Sequence, residues 1–159
     1  SGDVFADALE TLNERHGGKY LIFCAAGNET GLDARYVSPL GNIACRTELS
    51  ARVPDVMVVE SVDGNGITSW YSKVDTVTAD DQRGESISAG GEAVTVMSGP
   101  GTSVYRAAGS GTSYSSPLAA GVASFLWTLD PTLSVGNIQN AGHSPSPPSG
   151  TSNLASIRP

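Results

Sequence analysis

Basic residues are scarce in this chain: 9 lysines and arginines stand against 16 aspartates and glutamates in 159 residues, giving a formal charge of −7 and a pI near 4.6. No basic run occurs, so nucleic acid and acidic lipid surfaces are poor partners. Histidine and cysteine are rarer still, at 2 each. Neither cysteine has a second cysteine or a histidine at ligand spacing, so no metal site is implied, and nothing points to another cofactor. Cys24 lies in an apolar run and Cys45 in the segment after it. A disulfide and a pair of buried or half-buried thiols both remain open. No apolar run is long enough to span a membrane, and these residues include no signal peptide. The chain starts without methionine, at Ser1-Gly2-Asp3. It reads as a piece cut from a precursor, in which case those absences carry no information about secretion.

What is present suffices for one domain, with 39% hydrophobic residues to build a core. Val4, Phe5, Ala8, Leu9 and Leu12 recur at a helical period, with Ser1 or Asp3 available as N-cap. His16, ahead of Gly17-Gly18, suits the C-terminus of that helix, where a cation complements the dipole. Lys19 to Asn28 contains a short apolar, β-branched and aromatic run that reads as a buried strand of a parallel sheet. A second strand follows it before the long apolar helix. From Leu118 to Leu129 the chain is apolar nearly all round, the pattern of a helix surrounded by protein. This alternation predicts an α/β fold with a mostly parallel sheet and flanking helices. Residues 1–141 form the folded portion, and 142–159 a tail rich in proline and serine that packs poorly.

The chemistry is concentrated at the head of the long helix, in Gly111-Thr112-Ser113-Tyr114-Ser115-Ser116-Pro117-Leu118-Ala119-Ala120-Gly121. A serine hydroxyl becomes a useful nucleophile only when it is held in place and a base takes its proton, and the first turn of a rigid helix holds it well. Pro117 is accommodated in that first turn, which has no intrahelical partner for its missing N–H. A second segment, Ala25-Ala26-Gly27-Asn28, ends the first strand. Glycine then asparagine makes a turn; the asparagine also carries an amide donor, the kind of group that stabilises an acyl-transfer oxyanion when fixed nearby.

Together these segments resemble the subtilisin-like serine proteases, whose nucleophile motif is Gly-Thr-Ser-x-Ala-x-Pro-x-x-Ala-Gly. Gly111, Thr112, Ser113, Pro117, Ala120 and Gly121 match it. Ser115 stands where alanine is usual and Leu118 where histidine is frequent. The resemblance implies Ser113 as nucleophile and Asn28 as oxyanion donor. Losing such a donor costs on the order of 3 kcal/mol, a magnitude that comes from subtilisin itself. It also implies that Ala25, Ala26, Gly27, Gly111 and Thr112 face the bound peptide. Ala89-Gly90-Gly91 stands where the family commonly has Ala-Pro-Gly, and Lys73 to Glu85 looks like a surface insertion. The similarity runs from about Ala8 to Leu133 and covers only the later part of the family's catalytic domain.

The family's triad runs aspartate, histidine, serine. Neither an Asp-Ser/Thr-Gly nor a His-Gly-Thr segment occurs in this chain, and the strand that lines the other wall of the substrate groove is absent. His143 reads as a loop residue beside the tail. Ser113, Asp130 and His143 follow the order of α/β-hydrolases, but the Gly-x-Ser-x-Gly elbow is missing and Asp130 falls near the end of the helix that Ser113 begins. The resemblance therefore implies the C-terminal portion of a serine endopeptidase. The histidine and aspartate would come from a complementary segment or chain, the substrate would be a peptide and the setting extracellular. This chain alone would be nearly inactive. A non-catalytic peptide-binding or assembly module of the same fold is the alternative. Asn28-Glu29-Thr30 is a glycosylation sequon, but a sugar there would block the donor.

Overall fold

The computed structural model describes residues 2–17, 19–29, 38–73, 86–97, 105–107 and 109–142. Three parallel strands form the centre: β1 (Ile22–Ala25), β2 (Val56–Val62) and β3 (Ser86–Gly90), in the order β1-β2-β3. Ile22 pairs with Val56 and Val58 with Ser86, so β2 and β3 end together at Val62 and Gly90, while β1 ends at Ala25 opposite Val59. Helices α1 (Gly2–His16), α2 (Pro39–Ala44) and α3 (Thr47–Arg52) cover one face, and α4 (Thr112–Leu129) covers the other. A small antiparallel pair, β4 (Thr95–Met97) with β5 (Tyr105–Ala107), and α5 (Val135–Gly142) complete the described elements.

The middle strand is apolar on both sides because both its faces are covered. Val56 and Val58 pack with Ala6, Ile43, Leu49 and Val53, while Met57 and Val59 pack with Ile87 and Ala119 beneath α4. These four β2 residues are almost fully buried, each contributing roughly 1.5–3 kcal/mol of transfer free energy. β1 is only half-buried, apart from Cys24. Among the described residues no strand pairs with its outer edge.

Short elements between the strands are fixed by local chemistry. Ser38 caps α2, its Oγ accepting from the Gly41 N–H at 3.0 Å, with Pro39 opening the helix. Cys45 is the C-cap of α2. Both thiols are free and buried, so there is no disulfide. Asp63 Oδ1 accepts from the N–H groups of Asn65 and Ile67, and Gly66 supplies the positive φ of 80° that closes the turn.

Several expectations are corrected. Asp3 lies within the first turn of α1 rather than capping it, and Ser1 is outside the described residues. Val4, Phe5, Ala8 and Leu12 face outward, whereas Gly2 and Ala6 are buried. The close approach of α2 decides this: a Cβ at Gly2 would collide with the Asn42 side chain. Arg52 of α3 ties down the same helix through Asp7 and Glu10, both at 2.7 Å. His16 does end α1, followed by Gly17 at φ 64°.

Pro117 is not in the first turn of its helix. α4 begins at Thr112 after the extended Gly111, which makes Pro117 the sixth helical residue. Its missing N–H leaves the Ser113 carbonyl without an i+4 donor. Nor is α4 surrounded by protein: Leu118, Phe125 and Leu129 are 47%, 61% and 66% exposed. Lys73 is buried rather than part of a surface insertion, and residues 74–85 lie outside the described residues. Gly142 ends α5, and residues 143–159, with His143, lie outside them too.

Candidate active site

The site forms where the C-terminal end of β1 meets the N-terminus of α4. After β1 the chain turns at Gly27, whose φ of 110° excludes a side chain without strain. That turn brings Asn28 against the helix start. The Thr112 N–H donates to Asn28 Oδ1 at 2.8 Å, and the Thr112 hydroxyl donates to the same oxygen at 2.9 Å. The hydroxyl in turn accepts from the Gly27 N–H at 3.1 Å. One of the orphan donors of a helix N-terminus is thus satisfied by a side chain 84 residues away.

This clamp sets the orientation of the Asn28 amide. Its oxygen is engaged by two donors, so the Nδ2 end is the one left to donate. Gly111 fits beside it because it lacks a Cβ, which would sit 3.2 Å from Nδ2. Ser113, the second residue of α4, is exposed directly after the buried Thr112. Further along, the Ser116 hydroxyl donates to the Phe23 carbonyl at 2.9 Å, which pins α4 to β1 one turn below the site. Ser113 also lies at the positive end of an 18-residue helix, which favours developing negative charge.

The structure brings Asn28, Gly27, Gly111, Thr112 and Ser113 together. Gly111 and Thr112 are buried and support the site from behind rather than lining its surface. Ala25 is half-buried, whereas Ala26 is buried, its methyl packed with Ala6 and Ile43 and its N–H donating to the Val59 carbonyl at 3.0 Å, so it supports the site rather than facing a ligand. His16 precedes β1, whereas Asn28 follows its far end, so the sheet separates that imidazole from Ser113. Asp130 is the C-cap of α4, roughly 25 Å along the axis from Ser113 at 1.5 Å per residue. Its carboxylate accepts from Thr132 N–H and Oγ instead. The α/β-hydrolase order therefore has no spatial counterpart. Among the described residues no group of three histidines, cysteines or acids could hold a metal ion.

Behind the site lies a feature that motif reading missed. Gly91, just past β3, is enclosed so tightly that a Cβ would collide with the hydroxyls of Ser61 and Ser115 and come within 2.9 Å of the Gly111 carbonyl oxygen. The signal for it was the departure at Ser115, whose hydroxyl lies where a Gly91 side chain would be.

The profile of the subtilase family matches residues 2–145. The chain belongs to the subtilase family. Its fold is shared with solved proteases at low identity. The prenylagaramide maturation protease PagA is 20% identical with a TM-score of 0.57, over 89% of this chain and 47% of its own. Sphericase is 24% identical with a TM-score of 0.58, over 87% and 42%, and the patellamide maturation protease PatG is 18% identical with a TM-score of 0.57, over 89% and 38%. This subtilase chain thus spans less than half the length of each of them. No curated protein sequence matches it significantly.

Proposed function

We propose that this chain is the nucleophile-bearing portion of a subtilase that cleaves peptide bonds through an acyl-enzyme. The observation that carries the reading is the clamp between Asn28 and Thr112, which presents an amide donor beside an exposed serine at a helix N-terminus. Ser113 Oγ attacks the scissile carbonyl carbon and its proton passes to a histidine. The oxygen that becomes negative accepts from Asn28 Nδ2 and the Ser113 N–H. Collapse of the tetrahedral adduct expels the amine, which takes up that proton, and water then releases the acyl group. Ala25 and Gly27 line one side of the side-chain pocket, with Ala26, Gly111 and Thr112 holding the geometry from behind.

The histidine and its orienting aspartate come from a complementary segment or chain. Support for such a complement is the outer edge of β1, with which no strand among the described residues pairs, and the apolar outer face of α4 formed by Leu118, Phe125 and Leu129. Covering both faces of that helix would bury what its composition marks as interior. Without the complement, catalysis is limited to roughly 10³–10⁴-fold over water, a figure that also comes from subtilisin. Peptide substrates and an extracellular setting follow from the family resemblance.

The test is steady-state peptide hydrolysis by the native assembly that contains this chain. Ser113→Ala abolishes turnover, and Asn28→Ala lowers kcat by about 10²–10³ with KM little changed. Turnover that survives Ser113→Ala overturns the proposal. A binding or assembly module is then the better reading.

A further inference from the structure

We propose that Tyr71 is a positioning residue for Ser113, acting through the Gly91 carbonyl; the inference rests on Ser113 being the nucleophile. Two donors converge on that carbonyl oxygen, the Tyr71 hydroxyl at 2.9 Å and the Gly111 N–H at 2.9 Å. Gly111 is the N-cap of α4, two residues before Ser113. The start of the helix is therefore gripped from two sides. Asn28 and Gly27 hold Thr112 from the β1 side, and Gly91 holds Gly111 from the β3 side.

The direction of the hydrogen bonds behind Gly91 follows from proton counting. Tyr71 has one hydroxyl proton, and it goes to the Gly91 carbonyl. In its 2.8 Å contact with Ser61 Oγ, Tyr71 must then accept, so Ser61 donates. Ser61 has spent its own proton, so the 2.9 Å contact with Ser69 runs from Ser69 to Ser61. The chain Ser69, Ser61, Tyr71, Gly91 carbonyl is thus one-directional, and its side chains are buried. Aligned hydroxyls polarise one another and strengthen the terminal bond. The Gly91 N–H is anchored as well, donating to the Val62 carbonyl at 3.1 Å. Both peptide groups of Gly91 are fixed, and its lack of a side chain lets Gly111 approach. A tyrosine 42 residues before the serine in sequence thereby sets the attitude of the nucleophile's helix turn.

The test compares Tyr71→Phe with Ser69→Ala, which leaves the Tyr71–Gly91 bond in place. Amide hydrogen exchange of the 109–114 segment is followed by mass spectrometry in the full chain. In the native assembly, the modification of Ser113 by a peptidyl phosphonate is followed at several reagent concentrations. Tyr71→Phe speeds exchange at 109–114 roughly five- to tenfold, as loss of one net hydrogen bond requires. It slows the limiting modification rate by a similar factor with half-saturation unchanged. Ser69→Ala changes both by less than about twofold. Unaltered exchange in Tyr71→Phe, or an equal effect of Ser69→Ala, overturns the proposal. If Tyr71→Phe does not fold, 4-fluorophenylalanine at position 71 decides, since its fluorine fills the hydroxyl's place with no proton to donate: faster exchange at 109–114 supports positioning, and no change refutes it. A wild-type assembly whose Ser113 stays unmodified would refute the protease reading, while the exchange result would still decide whether Tyr71 fixes the turn.

Discussion

Replacing Thr112 by valine tests the clamp that defines the site. The two side chains have the same shape, so packing in this fully buried position is kept and the change is confined to hydrogen bonding. The hydroxyl makes two bonds, donating to Asn28 Oδ1 and accepting from the Gly27 N–H. Asn28 Oδ1 keeps the Thr112 N–H, so losing the first bond costs about 1 kcal/mol, whereas the half-buried Gly27 N–H is orphaned at about 1–2 kcal/mol. The sum, about 2–3 kcal/mol, corresponds to a fall in Tm of roughly 5–10 °C for a chain of this size. Ser116→Ala is the reference, since it removes the single bond to the Phe23 carbonyl and lowers Tm by about 2–4 °C. Both are read by circular dichroism in thermal unfolding. A Thr112→Val chain that melts no lower than Ser116→Ala would refute the reasoning, because the clamp would then hold no more than one ordinary hydrogen bond.

Three further outcomes follow from other buried or exposed groups. Ser115 is fully buried and its Oγ has no hydrogen-bond partner, so Ser115→Ala raises stability by about 1 kcal/mol, visible as a higher denaturant midpoint at unchanged slope. Asp55 is buried with one carboxylate oxygen unpartnered, and desolvation raises its pKa above the ordinary 3.8. Its neutral form is the one the fold favours, so this contribution is present below pH 3.8 and lost as pH rises through the raised value. Asp55→Asn is therefore more stable than wild type in urea melts at pH 7, and the difference closes in acid. The apolar outer face of α4 makes the separate chain self-associate; a Phe125→Gln, Leu129→Gln double substitution reduces its sedimentation-equilibrium mass toward that of a monomer while leaving its circular dichroism unchanged.

The candidate site was legible because its information is local in sequence. The helix head from Gly111 to Gly121 and the strand end at Ala25 to Asn28 each carry their own pattern, and α4, β1 and β2 fall where apolar runs predict them. Elements with no such pattern were missed. α2 and α3 have 6 residues each, too short for a helical period to show, and β4 and β5 have 3. The face of α1 was misread because periodicity follows large apolar side chains, whereas its contact with α2 is made by Gly2 and Ala6. Pro117 was placed a turn too early because the start of α4 is stabilised by Asn28, a partner that no local rule supplies. The hydroxyl chain from Ser69 to Gly91 was invisible for the same reason: it exists only when β2, the end of β3 and the head of α4 come together.

The most direct measurement of the central claim is the site and extent of modification when the native assembly containing this chain is treated with a peptidyl phosphonate and mapped by mass spectrometry. The account predicts a stoichiometric adduct on Ser113, absent from Ser113→Ala and almost absent when the chain is treated alone. An adduct on another residue, or an assembly that cleaves peptides while Ser113 stays unmodified, would contradict it.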